Sequence, residues 1–102
     1  MTTKSDTLKL LESLIDKEPT FGETIAALRE ADELSQSVFA KKLGVTRQVL
    51  NDIEKGRRPA SLAIASQWAK KIGLAPAVLV ERAVQDQLNA AKMRLRVKIE
   101  AA

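Results

Sequence analysis

The chain contains neither cysteine nor histidine. Without thiols and imidazoles there can be no disulfide, no thiol nucleophile, no imidazole general base and no cysteine–histidine zinc site. A Ser-His-Asp constellation is impossible, and neither the phosphate-loop pattern nor Gly-x-Gly-x-x-Gly occurs. The expectation is therefore a protein that is not an enzyme and needs no cofactor or metal. Long apolar runs are also missing. None reaches the roughly 20 residues of a membrane helix, and the N-terminus lacks the pattern of a signal peptide. A cytoplasmic location without a membrane partner follows as an expectation. No repeat or low-complexity segment occurs. At 102 residues the expectation is one modest core with short extensions and no separate ligand-sensing domain.

What the chain does contain is concentrated in Gln36 to Lys55. Ser35 can cap a helix that begins at Gln36, its hydroxyl accepting a free amide of the first turn. Val38, Phe39, Ala40 and Leu43 supply an apolar stripe at helical spacing, and Ala40 is small enough for a second helix to cross close by. Gly44 ends that helix, because glycine enters the left-handed conformation without a Cβ clash. Val45 plugs the turn and Thr46 caps the next helix. That second helix, Arg47 to Lys55, turns about 100° per residue. Val49, Leu50 and Ile53 then share one arc and face the protein. Gln48, Asn51 and Lys55 point away from it, with Arg47 on the flank.

Two short helices joined by a tight turn, the second with a polar and partly cationic outer face, suit insertion into a DNA groove. Arginine can grip guanine O6 and N7 together, and glutamine or asparagine can do the same to adenine N6 and N7. Arg47, Gln48 and Asn51 are the candidate base readers. Asp52 is a dissenting charge, since a carboxylate near phosphates is costly unless it pairs or accepts from a cytosine amine.

These residues resemble a known family, the phage-repressor/Cro-like or Xre helix-turn-helix regulators. The resemblance rests on Leu34-Ser35-Gln36, Phe39-Ala40, Leu43 through Gln48, Leu50 and Ile53 through Arg57, and spans about Phe21 to Ala83. It implies a five-helix, all-α, lambda-repressor-like domain. It further implies that Gln36 contacts phosphate and steadies the recognition side chains. Arg29 and Glu54 match a pair that, in relatives, ties the first helix to the end of the recognition helix. Glu54 also sits at the border of the buried arc, where a carboxylate needs a partner.

Charge placement points the same way. Residues 1–35 hold four basic and eight acidic residues, a balance of −4, whereas residues 36–73 hold eight and two, a balance of +6. The positive excess thus falls on the motif and the loop after it, as a polyanion-binding face requires. Lys55, Arg57 and Arg58 would hang beside the groove, and Ser61 could present a helix N-terminus to a phosphate. With Gln36 and Thr46 they make up the candidate phosphate contacts. Double-stranded DNA is the expected partner, so that the protein would be nucleoid-associated when bound.

Around the motif the pattern remains mostly helical. Asp6 can cap a short amphipathic helix through Leu8, Leu11, Leu14 and Ile15 within an N-terminal extension, residues 1–19. The DNA-binding domain occupies 20–92, its motif 36–55. Thr20 and Glu23 form a capping box for a helix with Phe21, Ile25 and Leu28 turned inward. Ala60 or Ser61 begins a helix through Leu62, Ala65, Trp68 and Ala69 that ends at Gly73, with Trp68 read as core rather than as a base-stacking platform. Pro76 opens a further helix carrying Val80, Val84 and Leu88 along one side. In the tail, 93–102, Met93 to Glu100 alternates apolar and charged residues, the period-2 signature of a half-buried strand. A lone strand needs a partner, and the simplest is the same strand of a second copy. Met93, Leu95, Val97 and Ile99 are thus candidate dimerisation residues; continuation of the preceding helix is the alternative.

Two functions fit: a repressor that occupies a palindromic operator as a homodimer, and an antitoxin that neutralises a toxin protein while autoregulating its operon. They differ in whether residues 1–19 and the tail complete a dimer or leave an apolar surface for another protein.

Overall fold

The computed structural model describes residues 4, 6, 7 and 18–102. Asp6 and Thr7 are helical, and Leu8, Leu11, Leu14 and Ile15, which were to form the N-terminal helix, lie outside the described residues. Five helices follow: α1 Phe21–Ala31, α2 Gln36–Leu43, α3 Arg47–Glu54, α4 Leu62–Ile72 and α5 Pro76–Ala90. The chain divides into two compact units, one up to Arg58 and one from Pro59 onward.

In the first unit, local chemistry sets each helix start. Thr20 Oγ1 accepts the Glu23 amide at 3.1 Å while Glu23 Oε1 accepts the Thr20 amide at 3.0 Å, the reciprocal capping box of α1. Ser35 Oγ accepts from the Val38 amide at the start of α2, and Thr46 Oγ1 from the Val49 amide at the start of α3. Gly44 ends α2 at φ 77°, and the Val45 amide closes back on the Ala40 carbonyl at 3.0 Å. α3 packs against both α1 and α2. Phe21, Ile25, Leu28, Phe39, Ala40, Leu43, Leu50 and Ile53 are buried. Val38 is not; it is exposed. At about 100° per residue it lies well behind the arc of Phe39, Ala40 and Leu43, so apolar character placed it in a stripe that its angle does not reach.

Gly22 carries a tighter constraint. A Cβ there would collide with the carbonyl oxygen of Ile53 and stand 2.8 Å from that of Glu54. Glycine inside a helix costs up to about 1 kcal/mol relative to alanine, and here it lets α1 lie directly on the last turn of α3.

In the second unit, Ser61 Oγ accepts from the Ile64 amide to start α4, and Gly73 ends it at φ 89°. α5 has no side-chain cap at Ala75, and Pro76 at its start supplies a preset φ instead. α4 and α5 pack along one another. Ala65, Trp68, Ala69, Ile72, Leu79 and Ala83 are buried, so Trp68 is a core residue; Leu62 is exposed. The inward arc of α5 is Leu79, Arg82 and Ala83, and Val80, Val84 and Leu88 are only half-buried.

The expected C-terminal β-strand is absent: the described residues contain no strand, and the fold is all-helical. After α5 the chain reverses through Lys92 at φ 58°. The tail then runs back along the helix it has just left. The Val97 amide donates to Gln85 Oε1 at 2.8 Å and the Ile99 amide to Glu81 Oε2 at 2.9 Å, while Gln85 Nε2 donates to the Leu95 carbonyl at 2.8 Å. Two residues of extended backbone cover about 6.6 Å and four helical residues about 6.0 Å. Alternate tail amides therefore stay in register with polar side chains one helical turn apart. The period-2 pattern predicts a strand because it carries no information about the partner; here side chains of α5, and not a neighbouring strand, take the amides of Val97 and Ile99.

Candidate nucleic-acid interface

α3 projects its polar residues in two groups. Arg47, Gln48 and Lys55 are exposed, whereas Asn51 and Asp52 are half-buried. Leu50 and Ile53 anchor the opposite face in the core, which fixes the rotation of the helix about its axis.

The inner group is held by a chain of side-chain bonds that links α1, α2 and α3. Arg29 on α1 donates Nε to Glu54 Oε2 at 2.8 Å and Nη2 to Glu54 Oε1 at 3.1 Å, a two-pronged pairing. Its Nη1 donates to the Leu34 carbonyl at 2.9 Å, fastening the connection between α1 and α2. The Glu54 side chain is 4% exposed and that of Arg29 15%. A carboxylate so buried needs compensation, and every donor it requires is supplied: no buried side-chain nitrogen or oxygen among the described residues lacks a partner. The hydrogen bond to Glu54 raises the pKa of Arg29 above its ordinary value, against the opposing effect of burial, so the guanidinium stays charged.

Gln36, the first residue of α2, extends this chain outward. Its Nε2 donates to Glu54 Oε1 at 3.0 Å and to Asn51 Oδ1 at 3.1 Å. Both hydrogens of that amide are thereby used. The Asn51 amide is oriented in turn, its oxygen held inward, which leaves Nδ2 as the group with which it can donate.

The outer group has its own node. Gln48 Nε2 donates to Asp52 Oδ1 at 2.9 Å, and Arg57 reaches the same oxygen with Nε at 3.1 Å and Nη2 at 3.0 Å. The amides of Arg57 and Arg58 both close on the Asp52 carbonyl, at 2.9 and 3.2 Å. Gly56, at φ 76°, makes the reversal that brings Arg57 back over α3. The Gln48–Asp52 spacing of four is a readable helical neighbour pair, but the return of Arg57 depends on the turn. Lys55 and Arg58 are exposed, and Thr46 and Ser61 spend their side-chain oxygens capping α3 and α4. Among the described residues no cluster of three or more acidic side chains could hold a metal ion.

Residues 25–79 match the Helix-turn-helix family, and this stretch is more than half of the chain. The chain belongs to the helix-turn-helix family. Over 46 residues it is 46% identical to an uncharacterized HTH-type transcriptional regulator of Methanocaldococcus jannaschii, a stretch covering 45% of this chain and 70% of that relative. No solved structure matches it. The motif of this helix-turn-helix chain is α2, the turn Gly44-Val45-Thr46, and α3, and no described helix is long and apolar enough to cross a membrane.

Proposed function

We propose that the chain is a sequence-specific DNA-binding transcriptional regulator that inserts α3 into the major groove and represses by occupying an operator. One observation carries this reading: an exposed Arg47 and Gln48 at the start of a helix whose rotation is fixed by buried Leu50 and Ile53. Arg47 suits guanine and Gln48 adenine. Asn51, its oxygen engaged by Gln36, takes a donor role, toward a base acceptor or a phosphate. Lys55 and Arg58 supply phosphate contacts, with Arg57 shared between Asp52 and the backbone of the DNA. A palindromic operator bound by two copies remains part of the proposal, with half-sites about 34 Å apart. Its dimer contact is not a strand pair.

Titration of a selected operator and of scrambled DNA at several salt concentrations tests the reading. Arg47→Ala and Gln48→Ala should each cost about 1–3 kcal/mol on the operator and relax one base-pair position. Arg58→Ala should weaken binding to every sequence and flatten the salt dependence. Equal losses on both DNAs for the Arg47 variant would remove it from base reading.

The antitoxin reading draws on a separate observation: Met93 and Leu95 on the tail stand 47% and 55% exposed. Apolar side chains so placed suit a protein partner. Growth rescue, by this chain, of cells expressing a toxin encoded beside it would favour that reading; failure of rescue leaves repression alone.

A further inference from the structure

The outward face of α3 carries a carboxylate where DNA would lie, and the reading of this face as a DNA reader makes that charge a liability. Asp52 follows Gln48 by one helical turn and shares its direction, so it cannot avoid the groove that Gln48 enters. Yet its side chain is only 27% exposed, and a single oxygen, Oδ1, receives both the Gln48 amide and the Arg57 guanidinium. Arg57 cancels the charge, and the bond to Gln48 settles which end of that amide turns outward.

We propose that Asp52 is a positioning residue that sets the base preference of Gln48. A free glutamine amide can rotate and offer its oxygen and nitrogen in either order. With one Nε2 hydrogen held by Asp52, the amide keeps its oxygen and its second N–H facing out, in a fixed order. That order fits adenine, whose N6 donates and whose N7 accepts. Pinning also removes rotamer freedom that binding would otherwise have to freeze. Arg57 completes the device, because a guanidinium has no acceptor and holds Asp52 Oδ1 in place from the far side. The inference rests on the DNA-binding reading above.

The test uses the full chain, a duplex selected from a randomised pool, and single-base-pair variants of that duplex. Gln48→Ala identifies the base pair that Gln48 reads. Asp52→Ala should lower discrimination at that same base pair by about two- to tenfold, the cost of ordering one side chain, because the freed amide can also turn the other way. It should also strengthen binding to scrambled DNA, since a negative charge is gone and Arg57 is released toward phosphate. The double variant should lose no more discrimination than Gln48→Ala alone. Asp52→Asn is the control for charge. Its oxygen must still face Arg57, a pure donor, so the Gln48 amide keeps its orientation and the base preference should survive.

Unchanged discrimination in Asp52→Ala, additive losses in the double variant, or equal losses in the Ala and Asn variants would each overturn the proposal. A wild-type chain that selects no sequence would instead overturn the DNA-reading function itself, and this result appears before any substitution is made.

Discussion

The two units solve the same problem, holding short helices together, with different chemistry. In the first, α1, α2 and α3 are tied by a polar chain running from Arg29 through Glu54 and Gln36 to Asn51, laid over an apolar core. In the second, α4 and α5 pack along one another and bury Ala65, Trp68, Ala69, Ile72, Leu79 and Ala83, and the clearest polar work, that of Gln85 and Glu81, fastens the tail. The difference tracks the job of the surface. A face that reads bases needs side chains held in one orientation, and directional, charge-assisted bonds supply that, whereas apolar contact is tolerant of rotation.

The largest effect should come from the apolar side of this contrast. Trp68→Ala removes the largest buried side chain and is expected to cost about 3–5 kcal/mol in denaturant unfolding, with little dependence on salt. A loss under about 1 kcal/mol would mean that the burial of Trp68 contributes little to the fold.

Next is the buried pair. Glu54→Ala strands Arg29 and should cost about 3 kcal/mol. Replacing Arg29 and Glu54 together by leucine should cost less than the two single losses combined, and strictly additive values would dissolve the pair as an energetic unit. The pH dependence has a definite sign. Because the pKa of Arg29 is raised in the folded chain, its contribution is fully present below the unfolded arginine value and is lost only in strong alkali, as pH passes the folded value. Between neutral and moderately alkaline pH, unfolding should therefore show no step assignable to Arg29.

The smallest effect belongs to the tail. Gln85→Ala removes the acceptor of the Val97 amide and the donor to the Leu95 carbonyl, and about 1 kcal/mol of local order with them. Hydrogen exchange at Val97 should accelerate while global unfolding stays within about 0.5 kcal/mol of wild type. Unchanged exchange would mean that the tail is held by something other than Gln85.

How much of this was legible in the sequence depended on the range of the interaction. Helix ends were readable because caps are local: Thr20 with Glu23, Ser35, Gly44, Thr46 and Gly73 act within a few residues of their own positions. The inward face of α1 and, on α3, Leu50 and Ile53 followed from periodicity, whereas Val49 is only half-buried. Val38 did not, since apolar character alone says nothing about angle. Gly22 was silent because its role exists only once the backbone of Ile53 and Glu54 lies against it. Asp52 could be seen as an unwelcome charge, but not as a ligand of Arg57, because Gly56 first has to turn the chain back.

The tail marks the boundary most clearly. Alternation in Met93 to Glu100 is a property of single residues along a chain, and the strand it announced does not form; the amides of Val97 and Ile99 bond to α5 instead. Whether those amides meet a second strand, a second copy or the side chains of Gln85 and Glu81 is decided by which acceptors stand nearby at the right spacing. The sequence by itself therefore determined the helices, their caps and the polar face of α3, all set by contacts a few residues long. Tertiary structure decided how Arg29, Gln36 and Glu54 are paired, which way the amide of Asn51 turns, and what the tail rests on, because hydrogen bonds between distant residues exist only after packing has placed them within about 3 Å of each other.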